Sequence, residues 1–184
     1  MIKALLSRQI SAFERTWRYD ASYMRELLAA SPWTFLRFSL VAGMTPRRGA
    51  PPPALAAAGV VGTLHEDCGP CTQIVVDMAA RQGLADATLR AILAGDHAGM
   101  GADAALGYDF ARSVLARNLE EGDRLRAEIV KRWGQKALVA LSLAITTARI
   151  YPTVKYALGH GRTCARVVVA GEAAPHARPF AAAA

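Results

Sequence analysis

The stretch HEDCGPCTQIVVDMAARQGL, His65 to Leu84, decides the fold, because its two cysteines stand either after a strand or at the start of a helix. A redox C-x-x-C set in a βαβ unit needs a strand before it. Here Gly62-Thr63-Leu64-His65-Glu66-Asp67 precedes Cys68, with no strand-like alternation of apolar and polar residues. Cys71 to Gln82 reads as a helix, and Gly83 supplies its stop. Pro70 suits the first turn of that helix, where its missing N–H costs nothing. The pair is therefore a dithiol one helical turn apart, at a helix start.

The helical habit extends in both directions. Upstream, Ala54 to Leu64 is an Ala/Val-rich helix leading to the cysteines. TPRRGAPPP, residues 45–53, breaks regular structure. It separates an N-terminal helical arm, residues 1–44, from a helical domain, residues 54–170. Within the arm, Leu5, Ile10, Phe13 and Trp17 fall at helical spacing. Asp20 or Ser22 caps a second helix through Ala30, and Ser31-Pro32 opens a third through Leu40. Downstream, Asp86 caps a short helix, Ala87 to Leu93, that ends at Gly95. Tyr108 to Asn118, Asp123 to Trp133 and Gln135 to Ala157 follow, the last with Pro152 expected to kink or end it. Trp33 and Trp133 are read as packing residues. GEAAPHARPFAAAA, residues 171–184, is a low-complexity, flexible tail. The expected fold is all-α, with about nine helices and no sheet.

Composition agrees. Alanine is frequent and Val/Ile/Thr runs are scarce, which favours helices over sheets. The net charge is +7, from 22 Lys and Arg against 15 Asp and Glu. The arginines are scattered and mostly near acids; only Arg47-Arg48 and Lys131-Arg132 are adjacent. No nucleic-acid partner is expected, because no groove-reading motif accompanies the charge. The first twenty residues are amphipathic and Arg-rich but lack the apolar region of a secretory signal, and Glu14 and Asp20 argue against a transit peptide. The apolar run Ala137 to Ile150 is too short to cross a bilayer. A cytoplasmic chain without a membrane partner is expected. Three cysteines, Cys68, Cys71 and Cys164, are too few and odd in number for a secreted disulfide framework.

A thiol at a helix start meets spare N–H groups and the positive end of the dipole, which favour a thiolate. A second thiol at i+3 can resolve the first into a disulfide, and Gly69 gives the backbone room for it. Asp67 and Glu66 complement the dipole but repel a thiolate. Two alternatives stay open. Zinc needs four ligands, and Cys164, His65 and His97 would have to complete the pair from unrelated segments. Free cysteine is also often simply core. The match to the thioredoxin tetrapeptide is not matched by the surroundings that fold requires, including the usual Trp before the first Cys.

EDCGPCTQIVVDMAARQGL, the YDFARSVLARN helix and RWGQKALVALSLAITTARIYPTVKYALG come in an order that resembles the carboxymuconolactone decarboxylase family, in its alkylhydroperoxidase D-like (AhpD-like) branch. The resemblance covers roughly residues 54–157. It implies a helical-bundle protomer in a homo-oligomer, a dimer, trimer or hexamer. It implies thiol-dependent hydroperoxide reduction, without a bound cofactor or metal, with electrons returned by a lipoyl or thioredoxin-like protein. By the same resemblance Cys71 is the peroxidatic nucleophile and Cys68 the more exposed resolving thiol. Val75 stands where the family pattern has histidine, and no acid lies from Pro51 to His65. His65 and Glu66 are the nearest substitutes for the missing proton relay; the other role for Glu66 and Asp67 is charge complementing the helix. Ile74, Val75 and Met78 line either an oligomer core or a dry pocket for an organic hydroperoxide. His97 reads as a loop residue, Asp77 as facing a helix end or a salt-bridge partner, and Cys164 as structural.

The expected function is a thiol oxidoreductase acting by peroxide reduction or disulfide exchange. A decarboxylase-like lyase would want histidine and acid at family positions that lack them. A helical oligomer with a redox-sensitive latch is the non-enzymatic alternative.

Overall fold

Every residue from Ala54 to Thr63 is buried, and the rest of the body wraps around that segment. The computed structural model describes residues 2–161 and 166–174. In chain order the helices are α1 (Ile2–Trp17), α2 (Ser22–Ala30), α3 (Pro32–Met44), α4 (Pro52–His65), α5 (Gly69–Arg81), α6 (Asp86–Ala94), α7 (His97–Met100), α8 (Ala102–Leu115), α9 (Leu119–Trp133) and α10 (Gln135–Ala157). Strands β1 (Val168–Val169) and β2 (Glu172–Ala173) pair antiparallel. The fold of the described residues is all-α.

Small residues let α4 sit at the centre. A Cβ on Gly107 of α8 would stand 2.5 Å from the Ala54 carbonyl oxygen, so only glycine permits that crossing. A Cβ on Gly62 would stand 3.1 Å from the Ile145 carbonyl oxygen of α10, and one on Gly59 3.2 Å from Val75 of α5. Closely approached helices then bury larger side chains around α4, among them Leu89, Ile92, Phe110, Leu125, Ile129 and Leu141.

The N-terminal arm has its own apolar cluster, with Leu6, Ile10, Tyr23 and Phe35 at its centre, and closes on the body through Ile74, Val154 and Leu158. A run of edge-to-face rings crosses the seam. Phe13 meets Tyr19 at 5.7 Å, Tyr19 meets Tyr23 at 6.3 Å, Tyr23 meets Phe38 at 6.3 Å, and Phe38 meets Tyr151 of α10 at 5.4 Å. Such geometry aligns the positive ring edge with a negative ring face.

Several local expectations are corrected. Helix α3 runs on to Met44, and α4 begins at Pro52, inside the expected 45–53 loop. Asp86 is the first residue of α6 and caps nothing; Ala85 holds the cap position. Asn118 opens α9 instead of ending α8, because its Oδ1 accepts the Glu121 N–H at 3.1 Å. The single turn α7 was not anticipated; Asp96 caps it through the Ala98 and Gly99 amides. Trp33 is 69% exposed, whereas Trp133 packs against the core. Pro152 lies buried inside α10 without ending it. The last helix is also long and apolar enough, by length and composition, to cross a bilayer; here Ala137, Leu141, Ala144 and Ile145 bury one side of it.

The hairpin corrects both the expectation of no sheet and the start of the 171–184 tail. Gln73 of α5 donates to the Val168 carbonyl at 2.9 Å and accepts the Val168 N–H at 2.7 Å. Arg90 donates to the Val169 carbonyl at 2.7 Å. Val167, Val169 and Ala174 enter the main core. Residues 171–174 thus belong to the body, and residues 175–184 lie outside the described residues, as does Cys164.

Candidate active site

The dithiol begins at a forced turn. Asp67 adopts left-handed backbone, φ 50°, between α4 and α5. Its N–H donates to the Leu64 carbonyl at 3.1 Å, and the Tyr156 hydroxyl donates to the Asp67 carbonyl at 2.9 Å. Cys68 occupies the cap position of α5 in extended conformation. Its carbonyl accepts both the Thr72 N–H and the Thr72 hydroxyl, each at 2.9 Å. Both cysteines are reduced and each is 5% exposed. The expectation that Cys68 is the more exposed thiol is therefore not met.

The two sulfurs share one negative charge unequally. Cys68 is lowered from 9.0 to about 7, chiefly because the Cys71 thiol donates toward it. The Cys71 amide and the Lys155 ammonium act in the same direction, while burial and Asp67 oppose them. Cys71 is pushed far up by the neighbouring Cys68 sulfur and by burial. Ionisation of the pair thus begins at Cys68, with Cys71 remaining the thiol, the reverse of what peroxidatic Cys71 suggests. The helix terminus is not the leading cause. The Cys68 sulfur makes no capping hydrogen bond of regular geometry, so the Cys71 amide contributes as a nearby dipole.

Cys71, but not Cys68, lines a cavity of about 390 Å³ at the seam between arm and body. Phe13, Tyr19, Tyr23 and Phe38 come from the arm; Ile74, Val75 and Met78 of α5 and Tyr151 of α10 form the opposite wall. Ile74, Val75 and Met78 thus line a cavity within the single chain. The Tyr19 hydroxyl lies 3.8 Å from the Cys71 sulfur. Burial pushes the Tyr19 phenol far up, so it stays protonated and available as a donor. Gln9, Arg47 and Gln82 line the cavity and are exposed, which places its mouth beside them.

The other expected site residues lie elsewhere. Neither Glu66 nor His65 lines the cavity. Glu66 ends α4, and its Oε1 accepts from Arg149 Nε at 2.6 Å. His65 is held below the ordinary histidine value by burial and by Arg149, against the pull of Glu66. His97 belongs to its own surface cluster, its two ring nitrogens facing acceptors, Asp109 at 2.7 Å and the Gly95 carbonyl at 3.1 Å. Asp77 accepts from Gln73 at 2.7 Å. Among the described residues no three His, Cys, Asp or Glu side chains gather to hold a metal ion.

Lys155 was missed. It is 3% exposed, and its ammonium sits 5.3 Å from the centre of the Tyr19 ring. In sequence it is a lone lysine in the last turn of an apolar helix, which reads as a complement to the helix dipole. Tyr19 and Tyr151 were likewise invisible as site residues, because only tertiary packing, of the arm for Tyr19 and of α10 for Tyr151, brings them to the cavity that Cys71 lines.

Compared with known proteins, the chain matches no family model, no curated protein and no solved structure.

Proposed function

We propose that the chain is a thiol-dependent oxidoreductase that reduces an apolar organic hydroperoxide at Cys71 and stores the oxidation as a Cys68–Cys71 disulfide. The observation that carries this is the position of Cys71, a thiol on the wall of an aromatic cavity with its partner thiolate beside it. An apolar pocket with few polar groups is suited to a small organic molecule.

The steps balance as follows. The Cys71 proton passes to the Cys68 thiolate along the contact that joins them. The Cys71 sulfur attacks the terminal oxygen of R–O–O–H as its proton leaves for Cys68, so no free Cys71 anion accumulates, and the O–O bond breaks. Cys71 becomes a sulfenic acid and the substrate leaves as an alkoxide, met by the Tyr19 hydroxyl and protonated by solvent at the mouth. The Cys68 thiol then attacks the Cys71 sulfur, giving the disulfide and releasing water. An external dithiol, of the lipoyl or thioredoxin-like kind, restores the pair by exchange. Exposed Trp33 and Leu40 on α3 support assembly into a homo-oligomer.

Charge on Cys68 favours a second reading, disulfide exchange begun at Cys68 with a protein partner, since the thiolate is the attacking species. Stopped-flow turnover of cumene hydroperoxide with dithiothreitol separates the two from each other and from background. Loss of rate in Cys71→Ser supports the peroxidase. If wild type and Cys71→Ser both run at the background rate, the peroxidase reading is gone.

A further inference from the structure

The cavity is largely apolar, yet among the described residues one of its lining side chains is charged, and that one is Arg47. No acid lines it among them. Arg47 is exposed and makes no ion pair among the described residues. Arg48 follows it, and both arginines border a shallow recess with Thr45 and Pro46, two residues that also line the cavity. A molecule entering there meets two cations first and hydrocarbon afterwards.

We propose that the cavity binds an amphipathic organic anion, an acyl chain ending in a carboxylate, with the carboxylate on Arg47 at the mouth and the chain running inward toward Cys71. A carboxylate cannot follow the chain inward, because burying it without a partner is far too costly. A guanidinium holds a carboxylate by two parallel hydrogen bonds, so the charged end also fixes the orientation of the chain. An alkylammonium is repelled at the same place. Joined to the proposed function, on which only this last step rests, the substrate class becomes a fatty-acid hydroperoxide whose peroxide lies along the chain and not at its charged end.

Binding is measured without turnover, by titrating the reduced full-length chain with dodecanoate, 1-dodecanol and dodecyltrimethylammonium in a calorimeter. Dodecanoate is expected to bind most tightly. Arg47→Gln is expected to weaken dodecanoate about tenfold or more, leaving dodecanol unchanged, and Arg47→Lys to restore part of the loss. Bound dodecanoate is also expected to slow alkylation of Cys71. Equal dodecanoate binding by wild type and Arg47→Gln, or a cationic chain bound as tightly as the anionic one, overturns the proposal. A chain that turns over cumene hydroperoxide but ignores dodecanoate refutes this inference alone. One that binds dodecanoate but consumes no peroxide refutes the proposed function instead.

Discussion

Cys71→Ala removes the group most responsible for the charge on Cys68. That thiol sits at about 7 against an ordinary 9.0, a difference of about two units. At 1.36 kcal/mol per unit this is roughly 3 kcal/mol of preference for the thiolate. Burial opposes that preference and remains after the substitution, whereas the largest favourable contribution disappears. The Cys68 midpoint should therefore climb to about 9 or above. At pH 7 its ionised fraction then falls from about one half to about one hundredth, and alkylation slows about fifty-fold. The assay is timed iodoacetamide labelling from pH 5 to 10, quenched and read by mass spectrometry on separate Cys68 and Cys71 peptides. In wild type Cys68 should label with a midpoint near 7 and Cys71 should stay slow across the range. A Cys71→Ala midpoint still near 7 would refute the reasoning, because the helix end or Lys155 would then suffice without the partner thiol.

Three further outcomes follow from the same structure. Lys155→Met keeps a buried chain of similar length and removes the charge, so the Cys68 labelling midpoint should rise; an unchanged midpoint would mean the ammonium is irrelevant to the dithiol. Gly107→Ala forces a methyl into the Ala54 carbonyl and should cost about 1–3 kcal/mol or more in urea unfolding, whereas a neutral effect would show that α4 and α8 can part freely. Asp109 raises the His97 value above 6.5, so their contact stabilises fully below 6.5 and is lost as pH rises through the raised value. Both side chains are more than a third exposed, so Asp109→Asn should cost under about 1 kcal/mol at pH 5.5 and less at pH 8.5; a larger cost at the higher pH would reverse the sign.

What the sequence could disclose was local. Gln135–Ala157 is bounded by signals within a few residues of its ends, and its extent is as expected. The Ser31 cap is real, with its hydroxyl oxygen accepting the Thr34 N–H at 3.2 Å. The cysteine pair was legible for the same reason, since i and i+3 on a helix start are neighbours whatever surrounds them. Errors arose where one residue type serves two purposes. Asn118 suits a helix end as well as a cap, and only the Glu121 hydrogen bond decides. The two-residue strands are too short to show alternation. The site failed at long range. Glu66 meets Arg149 across 83 positions, and Tyr19 meets Cys71 across 52. Which sulfur carries the charge depends on burial and on the partner thiol together, and neither is written in C-x-x-C.

Electron balance in a single turnover tests the account most directly. Reduced protein is mixed with one equivalent of cumene hydroperoxide, and remaining peroxide, free thiols and the Cys68–Cys71 peptide are measured over time. Two thiols should vanish for each peroxide consumed, with the disulfide between Cys68 and Cys71 and hydrogen peroxide reacting more slowly than the apolar substrate. Peroxide persisting while both thiols stay reduced would contradict the account.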